Sequence, residues 1–310
     1  MTVYHVFANR SNIGDWLSAR AIQSRLPSAV DVRELYCDEH FIAETIASLP
    51  LIASDDAIII GGGGLFMDYF LPLWKAMAMV VQQTNVFIWG IGYCDSKARV
   101  SRPPTELMRD VVRASRLCVV RDELTRSLLD LPDHVPPPVA CPSLLLLQPQ
   151  QQKKSMLLHA VHYEATGHER YERLCEVTRA FAQQSGRTYA ETNNEIAHGS
   201  EKELAANLRD YGDADLVVTS RLHGCIIGLA RGGRVIAMSG DHKVEAFMRS
   251  AGLGDWVCEM GDFDRLNELM SRAAEQPSAE PFLDHARQAN LRVGRQISTM
   301  LAEIQSPRVA

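Results

Sequence analysis

The stretch Asp215–Lys243, DLVVTSRLHGCIIGLARGGRVIAMSGDHK, decides the fold of this chain. Two short apolar runs, Leu216–Thr219 and Val235–Met238, flank an apolar segment of helical length. A strand, a helix and a second strand in this order are typical of the βαβ unit of a parallel sheet. Polar residues stand where each run ends, and parallel sheets bind ligands at the carboxyl ends of their strands. The stretch therefore predicts an α/β fold with a binding site at the strand ends.

The same alternation extends over the rest of the sequence in two blocks. The predicted strands are Val3–Ala8, Ala57–Ile60, Val86–Gly90, Leu117–Arg121, Met156–Val161, Thr188–Ala190, Leu216–Thr219 and Val235–Met238. The predicted helices are Asp15–Arg25, Asp68–Gln82, Pro104–Ala114, Glu123–Leu131, Glu169–Gln184, Ser200–Tyr211, Leu222–Arg231 and Val244–Ala251, with one or two more between Glu280 and Ile304.

A polar segment, Gln148–Lys154 (QPQQQKK), follows a proline-rich stretch and separates the two blocks. Such composition is typical of a linker between domains. We therefore predict a βα domain over residues 1–147, a second one over 155–279, and C-terminal helices over 280–310. Two such domains would face each other with the ligand crevice between them.

The composition excludes several classes of protein. Of 310 residues, 46% are apolar and 23% are charged, as in ordinary globular chains. The 38 acidic residues exceed the 32 basic ones, which argues against a nucleic-acid partner. No apolar run reaches the ~18–20 residues that span a bilayer, and the N-terminus lacks a signal-peptide pattern. We expect a cytoplasmic protein that does not span a membrane, with peripheral association left open.

The charged residues after the predicted strands form a candidate anion site. Arg221 and His223 open a predicted helix, whose first turn offers unpaired N–H groups and a partial positive charge. Gly224 follows them, and Ser239 and Lys243 stand in the loop after the next strand. An isolated R-x-H would be read as a surface arginine and a core histidine. Here its position between a strand and a helix favours phosphate binding, with His223 also a candidate for proton transfer.

Two loops of the N-terminal block are candidate ligand contacts. Asn12, Gly14 and Asp15 follow the first strand, where Asp15 is either a catalytic or acceptor-binding group or only a helix cap. Four glycines follow the second predicted strand, where they either let a ligand approach the backbone or only form a tight turn. The glycines proposed as contacts are Gly62, Gly63 and Gly64.

Metal ligands are not clustered in the sequence. The seven cysteines include no C-x-x-C pair, which argues against a zinc site and for a reducing compartment. His159 and His162 would point to opposite faces of a strand. We therefore expect no metal site.

Five motifs, in order, resemble the polysaccharide pyruvyl transferase family. They are Asn12-Ile13-Gly14-Asp15, the glycine-rich Ile58–Phe66, Gly90-Ile91-Gly92, Arg121-Asp122 with Ser127, and Ser220–Gly224 followed by Asp241-His242-Lys243. The resemblance implies a GT-B-like fold of two Rossmann-like domains with the active site in the cleft. It also implies transfer of pyruvate from phosphoenolpyruvate to two hydroxyls of a sugar, making a cyclic ketal and releasing phosphate, with His223 and Asp15 as the catalytic candidates.

The implied partners are phosphoenolpyruvate as co-substrate, without a cofactor, and a saccharide or lipid-linked oligosaccharide. The N-terminal domain would hold the acceptor and the C-terminal domain the donor. Two alternatives stay open: a GT-B glycosyltransferase using a nucleotide sugar, and a non-catalytic sugar- or phosphate-binding protein.

The sequence departs from the family pattern at two places. The family usually has Asp-Pro where this chain has Cys141-Pro142. Members also often carry an arginine after the first strand of the second domain, whereas residues 159–164 read HAVHYE. The donor carboxylate therefore needs another partner.

Overall fold

The computed structural model describes residues 1–94, 97, 105–151, 154–161 and 167–305. The strands in this part of the chain are β1 (Thr2–Phe7), β2 (Asp31–Tyr36), β3 (Ala57–Ile60), β4 (Asn85–Trp89), β5 (Leu117–Val119), β6 (Lys154–Ala160), β7 (Thr188–Glu191), β8 (Ala214–Thr219), β9 (Arg234–Ser239) and β10 (Val257–Glu259). The helices are α1 (Ile13–Gln23), α2 (Ile42–Ser48), α3 (Leu71–Val80), α4 (Thr105–Ala114), α5 (Glu123–Leu128), α6 (His168–Gln184), α7 (Glu201–Asp213), α8 (Leu222–Ala230), α9 (His242–Ser250), α10 (Phe263–Ser271) and α11 (Glu280–Gln305).

The strands form two five-stranded parallel sheets with the same topology. The first has the order β2-β1-β3-β4-β5 and the second β10-β9-β8-β6-β7. Counted within each sheet, both follow the order 2-1-3-4-5, which reverses direction between the first and third strands. Ligands of open α/β sheets bind at this reversal, outside the carboxyl ends of the strands. The topology therefore marks the ends of β1 and β3, and of β6 and β8, as the places for a site.

The central strands are apolar because helices cover both faces of each sheet. Every residue of β3 (AIII) and β4 (NVFIW) is buried. Strand β2 (DVRELY) has no fully buried residue and lies at a sheet edge, which is why it carries charged side chains. Its charge, and the shortness of β10, explain why neither strand was predicted from apolar runs.

The two domains are joined by backbone hydrogen bonds beside the first helix. Ile13 N donates to Asn194 O at 3.0 Å, and Ile196 N donates to Ser11 O at 2.8 Å. The apolar side of α1, including Trp16, belongs to the same buried cluster as the core of the second domain. The N-terminus of α1 is thereby fixed against the C-terminal domain.

Helix α11 returns from the second domain to cover the first sheet. Its buried residues Val293 and Ile297 pack in one cluster with Val3, Phe87 and Trp89. Asn290 is fully buried, and its Oδ1 accepts a hydrogen bond from Trp89 Nε1 at 2.9 Å. Asn290 Nδ2 donates to Ala140 O at 2.8 Å. One polar side chain therefore ties the helix to both the sheet and the loop after α5.

The prediction of a two-domain parallel α/β fold is confirmed. The segment Glu280–Ile304 forms a single helix, and the helix predicted from Pro104 begins at Thr105, with Pro104 itself outside the described residues. The domain boundaries stay predictions. Among the described helices, none combines the length and the apolar character that crossing a bilayer requires.

We predict that Asn290→Ala lowers the free energy of unfolding by about 1–3 kcal/mol, because Trp89 Nε1 and the Ala140 carbonyl lose their buried partner. Urea unfolding followed by tryptophan fluorescence measures this. Gln296→Ala, an exposed position on the same helix, is the matched control and is expected to change the value by less than about 0.5 kcal/mol. Equal effects of both substitutions would contradict the assigned role of Asn290.

Candidate functional site

The candidate site lies where the first turns of α1 and α8 meet across the two domains. Gly14 in α1 packs directly against the imidazole of His223 in α8. A Cβ at position 14 would lie 1.9 Å from His223 Cγ, so no side chain fits there. Both helices start at the carboxyl ends of strands β1 and β8, and their N-terminal N–H groups face the same region. This is the reversal point of both sheets.

Asn12 and Asp15 have different roles at the start of α1. Asn12 is the helix cap, and its Oδ1 accepts hydrogen bonds from the backbone N of Gly14 at 3.0 Å and of Asp15 at 3.3 Å. Because Asn12 caps the helix, the Asp15 carboxylate does not serve as the cap. Asp15 Oδ1 lies 3.9 Å from His223 Nδ1. The structure therefore brings the two predicted catalytic candidates together and gives Asn12 a structural role.

The glycine loop after β3 packs against Asp15. Gly62 and Gly63 have φ values of +94° and +102°, a backbone conformation that favours glycine. A Cβ on Gly63 would lie 2.9 Å from Asp15 Oδ1. Gly64 packs instead against Cys94, whose Sγ would be 1.9 Å from a Cβ at that position. The loop thus forms one wall beside the carboxylate.

Three cationic side chains surround the Asp15–His223 pair. Arg121 follows β5 and is buried, with its Nε donating to Asp122 at 3.1 Å and its Nη2 without a hydrogen-bond partner. Arg221 Nη2 donates to Glu195 at 2.9 Å, while its buried Nε has no partner. Lys243 Nζ contacts Asp241 at 2.8 Å and Cys94 Sγ at 3.1 Å. Unpaired guanidinium N–H groups in a buried site point to an anionic ligand.

Burial shifts the pKa values of the two titratable groups in opposite senses, whereas the cations lower both. Burial raises the pKa of the Asp15 carboxyl to about 6, although Lys243, Arg121 and Arg221 oppose the rise. Burial, together with the same three cations, lowers the pKa of the His223 imidazole to about 3. The imidazole is therefore neutral at neutral pH, and its 3.9 Å contact with Asp15 is not an ion pair. An anion bound among the cations would raise both pKa values.

Gly224 and Ser239 lie away from this centre. A Cβ on Gly224 would be 2.1 Å from Thr219 Oγ1, so Gly224 allows α8 to pack on the end of β8. Ser239 is buried and its hydroxyl donates to Glu245, which in turn pairs with Lys97 at 2.5 Å. Both residues support neighbouring loops, and their predicted contact with the donor stays a prediction.

Arg121 was not among the residues predicted for the site, although its sequence signal resembles that of Arg221. Both arginines follow a buried parallel strand and precede a helix. Only Arg221 was predicted for the site, because His223 follows it two residues later. Cys94 and Cys141, which contact Lys243 and His223, were missed because isolated cysteines carry no positional signal.

One group of residues in the described part of the chain has the geometry of metal ligands. It joins His159, Cys175 and Glu191, whose donor atoms lie within 4.8 Å of one another. Each already has a partner: His159 Nδ1 lies 3.0 Å from Tyr189 Oη, Cys175 Sγ 3.4 Å from the same Nδ1, and Glu191 pairs with Arg179 at 2.8 Å. The expected absence of a metal stays a prediction, and His162 lies outside the described residues.

Comparisons with known proteins agree with this architecture. The sequence profile of the family described as polysaccharide pyruvyl transferase matches residues 12–242. No curated protein sequence matches the chain significantly.

Several solved structures share the fold. The UDP-GlcNAc 2-epimerase of Methanocaldococcus jannaschii, in complex with UDP-GlcNAc and UDP, superposes with a TM-score of 0.58 at 11% identity, over 96% of this chain and 100% of that chain. A putative UDP-N-acetylglucosamine 2-epimerase from Listeria monocytogenes gives 0.61 at 10% identity, over 89% and 88%. The Neisseria meningitidis UDP-GlcNAc 2-epimerase gives 0.57 at 12% identity, over 98% and 99%. At such identities the similarity shows the fold alone.

We predict that Asp15→Asn stabilises the protein at pH 7 by on the order of 1–3 kcal/mol, because the ionised carboxylate is disfavoured in the folded state. The folded state binds the Asp15 proton more tightly than the unfolded chain does. Wild-type stability contributed by this group is therefore present below about pH 4 and is lost as pH rises through about 6. Urea unfolding from pH 4 to pH 8 should show a difference that grows with pH.

The exposed Asp55→Asn is the control, with no such pH-dependent gain expected. A gain that is the same at all pH values, or a loss at pH 7, would contradict the burial of an unfavourable charge at Asp15.

Proposed function

The chain belongs to the polysaccharide pyruvyl transferase family, and we propose that it transfers the pyruvate unit of phosphoenolpyruvate to two hydroxyls of a saccharide. In this reaction the methylene carbon of the donor gains a proton and two new C–O bonds form at its central carbon. The bond from that carbon to the phosphate oxygen breaks, and phosphate leaves. Two protons leave the acceptor hydroxyls. One makes up for the proton that the methylene carbon gains, and the other leaves with phosphate.

The observation that carries the proposal is the buried Nη2 of Arg121, which has no hydrogen-bond partner, beside Asp15 and His223. Phosphoenolpyruvate carries a phosphate and a carboxylate on three carbons, so it needs several cations within a small volume. Arg121, Arg221 and Lys243 supply them, and the first turn of α8 adds N–H donors. Arg121 is then the partner of the donor carboxylate, because residues 159–164 contain no arginine for this role.

Proton transfer falls to the Asp15–His223 pair. The chemistry needs an acid for the methylene carbon and a base for an acceptor hydroxyl. A carboxyl with a pKa near 6 and a neutral imidazole 3.9 Å apart supply both kinds of group. Donor binding would neutralise part of the cationic field. The pKa values of both groups would then lie closer to the pH of the cell.

The proposal extends to the partners and the setting. The acceptor is a saccharide or a lipid-linked oligosaccharide, bound on the side of the N-terminal domain, and the product belongs to an extracellular or cell-wall polysaccharide. The reaction takes place in the cytoplasm and uses phosphoenolpyruvate as a co-substrate, without a separate cofactor or metal. A nucleotide-sugar glycosyltransferase and a non-catalytic binding protein are the outcomes against which the proposal is tested.

Ligand binding and phosphate release test the proposal together. Phosphoenolpyruvate should raise the melting temperature more than UDP-GlcNAc does at equal concentration, because the favoured ligand stabilises the folded state by mass action. Arg121→Lys should weaken donor binding about 10- to 100-fold in calorimetry, since a point charge replaces a planar fork at a charged contact. Arg187→Lys, which changes an arginine paired with Asp215 outside the site, is the control.

Stabilisation by UDP-GlcNAc alone would favour the nucleotide-sugar alternative. Donor binding without phosphate release across a panel of glycoside acceptors would favour the binding protein. Unchanged donor affinity in a folded Arg121→Lys variant would remove Arg121 from the site.

We predict that His223→Asn reduces turnover by roughly a hundredfold or more, the usual effect of losing a general acid or base. Asparagine keeps a hydrogen-bonding group but does not titrate in this range. Donor affinity should fall much less than in Arg121→Lys. Turnover and donor affinity measured from pH 5 to pH 9 check this, and an unchanged turnover with the same pH profile would assign His223 to packing alone.

A further inference from the structure

A buried thiol stands on the side of His223 that faces away from Asp15. His223 Nε2 lies 3.5 Å from Cys141 Sγ and 3.5 Å from Ser18 Oγ. Cys141 is 1% exposed and Ser18 is fully buried, so water does not compete for these contacts. The imidazole is therefore held between the Asp15 carboxyl at Nδ1 and a neutral thiol–hydroxyl pair at Nε2.

The protons around Nε2 are already committed to other acceptors. Ser143 Oγ donates to Cys141 Sγ at 3.2 Å, and Ser18 Oγ donates to the carbonyl of Gly14 at 2.8 Å. Cys141 Sγ lies 2.9 Å from Ser18 Oγ, whose only proton is used, so the thiol donates to that oxygen. Cys141 and Ser18 thus present only lone pairs to Nε2.

We propose that Cys141 is a positioning residue that fixes His223 as the neutral Nε2–H tautomer, leaving the lone pair of Nδ1 as the proton acceptor beside Asp15. A neutral sulfur accepts the Nε2–H without adding a negative charge. The sulfur therefore fixes the tautomer while the imidazole stays uncharged before the donor binds. This assignment of a proton acceptor rests on the proposed function, whereas the tautomer does not.

The roles of the two catalytic candidates follow from this tautomer. An acceptor hydroxyl gives its proton to Nδ1 as its oxygen bonds to the central carbon of the donor. Asp15, whose carboxyl is the protonatable group across from Nδ1, gives its proton to the methylene carbon. The imidazolium then returns a proton to Asp15 across 3.9 Å, which restores both groups.

Among the residues that the structure describes, four charged groups act on His223. Asp15 faces it from α1, Arg121 from the loop after β5, Lys243 from α9 and Arg221 from the residue before α8. The three cations disfavour an imidazolium until an anion neutralises them. Cys141 and Ser18 lie on the Nε2 side of the ring.

Nitrogen-15 NMR of histidine-labelled full-length protein tests the proposal without requiring turnover. The resonances of His223, identified by their loss in His223→Asn, should show a protonated Nε2 and an unprotonated Nδ1 at neutral pH. Cys141→Ser keeps a neutral acceptor and should leave both the tautomer and the pKa of His223 unchanged. Cys141→Asp places a carboxylate at the same contact and should raise the pKa of His223 by about 1–3 pH units.

A protonated Nδ1 in the wild type, or a folded Cys141→Asp protein with the same His223 pKa as Cys141→Ser, would overturn the proposal. If Cys141→Asp does not fold, the double variant Ser18→Ala with Cys141→Ala decides, because it removes both acceptors. Loss of the tautomer preference there supports the proposal, and an unchanged preference overturns it. Absence of pyruvyl transfer, with the NMR results as expected, would refute the proposed function and leave the tautomer assignment intact.

Discussion

The contact between the backbone of Gly14 and the ring of His223 is the constraint on which the rest of the cleft depends. It brings the first turns of two helices from different domains to van der Waals distance. That closeness removes water from Asp15 and His223, and the loss of hydration shifts their pKa values toward the uncharged forms. Three cations beside a single carboxyl group and a neutral imidazole make a site that is incomplete without an anion.

The shared topology of the two sheets explains why this contact arises. Both sheets have the strand order 2-1-3-4-5, so each has its reversal next to its first strand. The domains face each other through these reversals, and the loops after β1 and β8 therefore meet. The loops after β3 and β5 add the glycine wall and Arg121 from the first domain, while α9 adds Lys243 from the second. Residues far apart in sequence are neighbours because each follows a parallel strand.

Much of this arrangement is predictable from the sequence. The rest is not, and each miss has a physical reason. The buried strands and the polar residues after them are visible as apolar runs with polar ends, which is why Asp15, Arg221, His223 and Lys243 were predicted. Strand β2 escaped prediction because an edge strand exposed to solvent carries charges. Cys141 was noticed only as a departure from a family pattern, because its contact with His223 joins positions 82 residues apart. Contacts between side chains across a domain interface leave no recognisable pattern in the sequence.

Helix α11 has a consequence for how the protein is made. During synthesis the first sheet emerges long before α11. Its face with Val3, Phe87 and Trp89 then has Ile22 of α1 as a neighbour but lacks the cover that Val293 and Ile297 provide. Domains emerge and fold in order from the N-terminus, but this one lacks part of its own core until residues beyond Glu280 have left the ribosome. The nascent chain therefore leaves part of an apolar sheet face exposed until α11 is made, which is the kind of surface that chaperones hold.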